Sequence, residues 1–307
     1  MSEFRRIEML AALADSHVTV RDTAAMPALQ QSLAQRLRVP DGPVNLAALD
    51  TRATPGFSGG KQEGKEALDE LGEQLSEYQE RLFAEGRTGG VHRILVVLQG
   101  MDTSGKGGTV RHCAGMLDPQ GLQLASFQAP TPAERKRGFL WRIRQQAPRP
   151  GMIGFFDRSH YEDVLIARVR KLAPASTINN RYESINNFEA DLAEDGTAVI
   201  KCFLHISKNE QRERLAARLD DPTKHWKFNS ADIDERLLWD DYQQAYAIAL
   251  QRCSTNVAPW LVIPSDRKWY RNWAVSTVLL EHLQALNPRW PKGDFDVVEQ
   301  RKRLAAT

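Results

Sequence analysis

A chain of 307 residues with 42% apolar and 26% charged side chains has room for one sizeable α/β domain or two small ones. Its formal net charge of +2 gives no global field of the kind that marks a nucleic-acid binder, although a locally basic face can hide behind such a balance. Cys113, Cys202 and Cys253 lie far apart without paired spacing, which favours buried thiols in a reducing compartment over a disulfide or a metal site. No apolar run is long enough to cross a bilayer and Met1-Ser2-Glu3-Phe4 starts no signal peptide, so the expectation is a cytoplasmic protein with no membrane or nucleic-acid partner.

Residues 1–37 read as an N-terminal extension, partly helical, with a helical pattern from Met26 to Leu37. Pro40, Gly42, Pro43, Pro55, Gly56, Gly59 and Gly60 then punctuate a loop-like lead-in with too few apolar residues to fold alone. From Gln62 the period changes: Leu68, Leu71, Leu75, Tyr78 and Leu82 form one apolar helical stripe, closed by Gly86 and the Gly89-Gly90 pair. The run Ile94–Leu98 is rich in β-branched residues and too short for a buried helix, so it reads as a central parallel strand. Similar runs follow at Leu122–Phe127, Met152–Phe156, Ala198–Ile206 and Trp260–Ile263, most of them separated by helical patterns. That alternation predicts an α/β fold: a central parallel sheet of about five strands with helices on both faces. The main domain is expected over 38–290, with a C-terminal tail at 291–307. A mostly helical excursion, Tyr161–Leu172 and Asn179–Leu192, adds no strand and is expected to supply a lid over about 161–192.

The chemistry gathers at two strand ends. Gly100-Met101-Asp102-Thr103-Ser104-Gly105-Lys106-Gly107-Gly108 follows the first strand by one residue and runs into a helix start at Thr109. This is the strand–loop–helix context of a P-loop. Glycines at 105, 107 and 108 let backbone N–H groups converge on phosphate oxygens, the helix N-terminus adds its dipole, and Lys106 supplies a mobile point charge. The Ser or Thr that usually follows the lysine and helps hold magnesium is replaced by Gly107. Asp102 alone would repel phosphates; with Mg²⁺ between them it becomes a ligand, the alternative being a solvated turn-capping aspartate.

The strand at 153–156 ends in Asp157-Arg158-Ser159-His160-Tyr161-Glu162-Asp163. Ligands of open parallel sheets sit at the carboxyl ends of strands, so Asp157 and Arg158 should face the P-loop. There the carboxylate can order a metal or the acceptor, and the guanidinium can neutralise a transferring phosphoryl group. Glu162 and Asp163 fit either acceptor binding or an acidic first helical turn, and His160 reads better as a packed or capping residue. Arginines and lysines dominate 135–171, which reads as a solvated face or as a basic channel for a polyanion longer than one nucleotide. Arg214 and Arg218 share a helix face suited to clamping phosphate.

Leu98–Gly108, Phe139-Leu140-Trp141-Arg142, Phe156–Leu165, His205–Arg212, Trp226-Lys227-Phe228 and Ile263–Asn272 together resemble the polyphosphate kinase 2 family, over about Pro40 to Leu286. The resemblance implies a thymidylate-kinase-like P-loop fold with a helical lid, a P-loop kinase-type three-layer sandwich. It also implies Mg²⁺-dependent phosphoryl transfer (Mn²⁺ a possible substitute) between inorganic polyphosphate and a purine nucleoside mono- or diphosphate. By position, Asp102, Lys106, Asp157 and Arg158 would be catalytic, with Asp102 and Asp157 on the metal. Ser104, Gly105, Lys106, Gly107, Gly108, Arg218, Lys224 and Lys227 would bind polyphosphate, and Glu162, Arg168 and Arg170 would face the nucleotide from the lid side. The His-Tyr-Glu-Asp-Val-Leu run most resembles the group accepting both mono- and diphosphates, and a homo-oligomer (dimer or tetramer) is expected. An ATP-dependent nucleoside or nucleotide kinase shares the P-loop and the Asp-Arg pair, and a non-catalytic polyphosphate-binding regulator is the third alternative.

Overall fold

All five apolar runs become strands of one parallel sheet. The structure, a computed structural model, describes residues 31–307. In chain order the helices and strands are α1 (Leu33–Leu37), α2 (Lys61–Arg87), β1 (Arg93–Gln99), α3 (Lys106–Ala114), β2 (Leu122–Ser126), α4 (Pro132–Arg135), α5 (Trp141–Arg144) and β3 (Ile153–Asp157). They continue with α6 (Ile166–Val169), α7 (Ala175–Glu194), β4 (Thr197–His205), α8 (Lys208–Leu219), α9 (Ala231–Leu237), α10 (Trp239–Arg252), β5 (Trp260–Pro264), α11 (Lys268–Leu286) and α12 (Val297–Ala305). The strand order is β2-β3-β1-β4-β5, so the connection leaving β1 runs one way across the sheet and the one leaving its neighbour β3 runs the other.

Alternation along each strand builds two cores. Leu95, Val97, Phe156, Val199, Phe203 and Val262 pack on one face with α7 and α10. Their neighbours Ile94, Val96, Leu98, Phe155, Ile200, Cys202 and Ile263 pack on the other with α2, α3 and α11. A strand buried on both faces reads as a continuous apolar run, because the period-2 signal vanishes when both faces are dry. The result is the three-layer sandwich expected.

Helix α2 crosses α11 closely enough that Gly64 has no room for a side chain: a Cβ there would lie 2.2 Å from the Trp269 ring. Alanine would ordinarily gain about 1 kcal/mol of helix propensity over glycine, but overpacking costs about 1–3 kcal/mol. Gly64→Ala should therefore lower the urea midpoint with the slope unchanged, rather than raise it.

All three cysteines are fully buried. Burial pushes the Cys113 thiol up to about 11 and the Cys253 thiol up to about 12. The folded protein should therefore give no fast reaction with a thiol reagent at neutral pH, and three equivalents once unfolded in denaturant.

The segment expected as a lid is built differently. Tyr161, Ile178, Tyr182, Ile185 and Phe188 are all at most 2% exposed within the core. The 178/182/185/189/192 spacing is one buried face of α7 laid against the sheet. The segment over the P-loop is instead 220–238, a 3₁₀ turn (Pro222–Lys227) followed by α9, neither of which buries a residue. At the N-terminal boundary, α1 belongs to the folded unit: Leu33 and Leu37 are buried, and Glu281 accepts from the amides of Leu33 (2.6 Å) and Ala34 (2.9 Å). The expected helical stretch before residue 31 lies outside the described residues. In the tail, α12 buries no side chain. No helix among the described residues is long and apolar enough to cross a membrane.

Candidate active site

The sheet register brings the two chemical segments together. Leu98 of β1 pairs with Asp157 of β3, and the Arg158 amide donates to the Leu98 carbonyl at 3.2 Å. The P-loop leaving β1 and the Asp157-Arg158 pair leaving β3 thus emerge side by side at the carboxyl edge of the sheet, where the strand order reverses. Thr103 (φ 65°) and Arg158 (φ 66°) both adopt the left-handed conformation that non-glycine residues avoid. Such residues cluster where a fold holds the backbone for function.

Lys106 opens α3 and folds back over the loop it closes, its Nζ donating to Gly100 O (2.8 Å) and Met101 O (3.4 Å). Burial lowers its pKa, against the opposing pull of Asp102. Arg158 Nη2 donates to Asp102 Oδ1 at 3.0 Å. Burial works against that guanidinium's charge, but Glu162, Asp102 and Asp157 outweigh it and hold its pKa above the ordinary value. Burial also raises the Glu162 carboxyl, with Arg158 and Lys106 pulling the other way. The Gln99 amide, oriented to donate to Glu162 Oε1 (3.1 Å), accepts from Ser159 N (3.0 Å). His160 is packed, wholly buried with Nε2 3.2 Å from Glu189 Oε1.

Two clefts meet here. The smaller, about 190 Å³, contains Glu162, Glu235, Tyr242 and Tyr246 in its wall. The larger, about 840 Å³, contains Gly105, Gly107, Gly108, Asp157, Arg218, Trp226 and Lys227. Asp102, Lys106, Arg158, Asn229 and Asp232 line both. Segment 220–238 contributes to both walls and is tied down by Arg218 to Asp232 (3.3 Å), and by Arg170 to Glu235 (2.7 and 3.0 Å).

Most of the expected site residues converge, and a few do not. Lys224 pairs with Asp221 at 2.7 Å and lines neither cleft. Arg168 donates to Asn179 and lies over the Tyr182 ring. Arg170 reaches the cleft only through its hold on Glu235. The Ser104 side chain is fully buried, and its carbonyl is held by Arg214 and Arg271. Arg214 therefore clamps the P-loop backbone rather than a phosphate-facing surface. Asn229, Asp232, Tyr242 and Tyr246 are site-lining residues that no local pattern pointed to.

A divalent cation fits the carboxylates present. A Cβ on Gly107 would lie 3.5 Å from Asp157 Oδ2. The aspartate thus stands beside the position where a residue after the lysine would project its hydroxyl. Among the described residues no group of three or more His, Cys, Asp or Glu side chains gathers to hold a metal. An ion bound by Asp102 and Asp157 would complete its shell with phosphate oxygens and water, the usual condition of Mg²⁺.

Comparison with known proteins fits this geometry. The chain is 49% identical over 253 residues to the AMP/ADP-polyphosphate phosphotransferase of Meiothermus ruber, covering 82% of this chain and 93% of that protein. It is 39% identical over 271 residues to the ADP-polyphosphate phosphotransferase of Rhodopseudomonas palustris, covering 84% and 92%. The crystal structure of polyphosphate kinase 2 from Arthrobacter aurescens TC1 superposes with a TM-score of 0.88 at 50% identity, covering 90% of this chain and 98% of that one. The model of the family described as polyphosphate kinase 2 (PPK2) matches residues 59–291, a span holding both strand ends and both clefts, and the chain accordingly belongs to that family.

Proposed function

We propose that this enzyme transfers a phosphoryl group between inorganic polyphosphate and a nucleoside mono- or diphosphate, taking AMP to ADP and ADP to ATP. The observation that carries the reading is the pair of clefts sharing Asp102, Lys106 and Arg158. A group moving between two bound phosphates needs one set of charges that both can reach. The Meiothermus relative, named for both AMP and ADP, supports the dual acceptor.

The chain's own groups account for the step. P-loop amides and the α3 N-terminus hold the polyphosphate end. Lys106 exchanges its bonds to the Gly100 and Met101 carbonyls for phosphoryl oxygens and follows the group as it moves. Asp102 holds Arg158 at the junction, where its guanidinium spreads over charge that builds on the transferring group. Asp157 and Asp102 would hold Mg²⁺ (or Mn²⁺), which when bound neutralises phosphate charge. Segment 220–238 is the cover, carrying Lys227 toward the polyanion, while Arg218 reaches the same cleft from the end of α8. The enzyme is expected to be cytoplasmic, to act as a homo-oligomer, dimer or tetramer, and to need no nucleic acid.

The test is an assay with long-chain polyphosphate as sole donor, Mg²⁺, and AMP, ADP, GMP or GDP in turn. ADP and ATP should form. Absence of any nucleotide product, with phosphorylation restored by ATP as donor, would convert the reading to an ATP-dependent kinase.

A further inference from the structure

Two guanidiniums lie beneath the P-loop, outside the catalytic set described above. Arg214, 8% exposed, donates through Nη1 to Thr103 O (2.9 Å) and Ser104 O (3.0 Å). Its Nη2 donates to Ser265 O (2.6 Å) and Asp266 O (3.2 Å), and its Nε to Glu210 Oε1 (2.7 Å). Arg271, 4% exposed, donates through Nη1 to the same Ser104 carbonyl at 3.1 Å and gives Nε and Nη2 to Asn272 Oδ1. Among the described residues, Arg214 forms an ion pair with Glu210 and no carboxylate forms one with Arg271. A buried cation without a countercharge is costly.

Position explains what this arrangement does. A peptide plane carries its C=O and N–H on opposite sides. Fixing the Ser104 carbonyl beneath the loop therefore directs the Gly105 N–H toward the opposite, phosphate-facing side. The left-handed Thr103 (φ 65°) and Gly105 (φ 106°) stand on either side of Ser104 and reverse the chain there, as an anion nest requires. A Cβ on Gly105 would lie 1.7 Å from Arg271 Nη1, so that glycine also makes room for the clamp. The anchors come from α8, the end of β5 and α11, all outside the loop.

We propose that Arg214 and Arg271 form a buried clamp that aims the P-loop amides at the phosphoryl group, acting as positioning residues that do not touch substrate. This rests on the proposed reading of the loop as the polyphosphate cradle. A lysine keeps the charge but loses the guanidinium's fork, so the informative variants in the full chain are Arg271→Lys and Arg214→Lys. In Arg271→Lys, kcat should fall about tenfold or more, with the nucleotide KM within about threefold of wild type. The dissociation constant for tripolyphosphate should rise about tenfold. Backbone amides of 101–108 should exchange hydrogen faster, while those of β1 and α11 keep their protection.

Three results would overturn the clamp. One is wild-type kcat with unchanged loop exchange in a folded variant. Another is a fall in kcat with loop exchange unchanged, which would put the arginine on the phosphate itself. The third is loss of fold in both lysine variants, which would make the pair a structural requirement only. If wild-type protein binds tripolyphosphate but transfers nothing from polyphosphate, the function proposed above fails, while loop exchange and tripolyphosphate affinity still judge the clamp.

Discussion

Lys106→Ala is expected to lower kcat by about 10²–10³-fold, the effect of removing one preorganised donor from a developing phosphoryl charge (about 2.7–4 kcal/mol). The fold should survive. Among the described residues Nζ bonds only to loop carbonyls, Gly100 O and Met101 O, and replacing a buried ammonium by a methyl relieves a desolvation cost as it removes those bonds. Circular dichroism with steady-state kinetics separates the two effects. The same residue sets an alkaline limit. Its pKa is lowered by burial, so the protonated form is lost as pH rises through a value below that of a free lysine. The alkaline limb of kcat/KM, which reports the free enzyme, should therefore fall below the ordinary lysine pKa of 10.5 and be absent from Lys106→Ala. A rate within threefold of wild type in a folded Lys106→Ala would remove this lysine from the transfer step.

Asp157→Ala should cost about 10³-fold in kcat, and Asp157→Asn should lose most of the rate while leaving Tm nearly unchanged. The reason is local: the carboxylate stands beside Gly107, where the chain has no hydroxyl to offer a cation. If Asp157 is a ligand, Asp157→Asn should need a several-fold higher Mg²⁺ concentration for half-maximal rate, since a neutral amide binds a hard cation more weakly. An unchanged Mg²⁺ requirement with a lowered rate would instead assign Asp157 to orienting the acceptor. Asp102 makes a useful contrast. Its removal also frees Arg158, so the Asp102→Ala and Arg158→Ala effects should be strongly non-additive, unlike Asp157→Ala combined with a distant change such as Gly64→Ala.

How much of this was legible in the sequence depends on the range of the interactions involved. Strand positions were readable because a doubly buried strand must be apolar at every residue, and Ile94–Leu98 or Trp260–Ile263 satisfy that locally. The P-loop and the Asp157-Arg158 pair were readable because each lies within a few residues of a strand end, and parallel sheets place ligands there. In the 161–192 segment the apolar stripe is legible for the same reason, but the layer it packs against is not. Ile178, Tyr182, Ile185 and Phe188 face the sheet, and the polar stretch 220–238 that lines the clefts is marked in the sequence by Lys224, Trp226 and Lys227 but has no apolar stripe to announce a covering segment. Lys224 reads in the sequence like Arg218 and Lys227, and Arg168 like a nucleotide-facing residue, yet charge alone does not say which way a side chain points.

The sequence by itself determined the five strands, their αβ alternation, the glycine-rich loop after β1 and the carboxylate–guanidinium pair beside it. All of these are properties of one element and its immediate turn. Only the tertiary structure decided that Leu98 meets Asp157, that two clefts share Lys106, and that Arg214 and Arg271 converge on the Ser104 carbonyl. Those pairings join residues tens to more than a hundred positions apart. They follow from strand order, sheet register and the placement of α8 and α11 so that an arginine from each reaches the loop, and none of these leaves a periodic trace in the residues that finally touch.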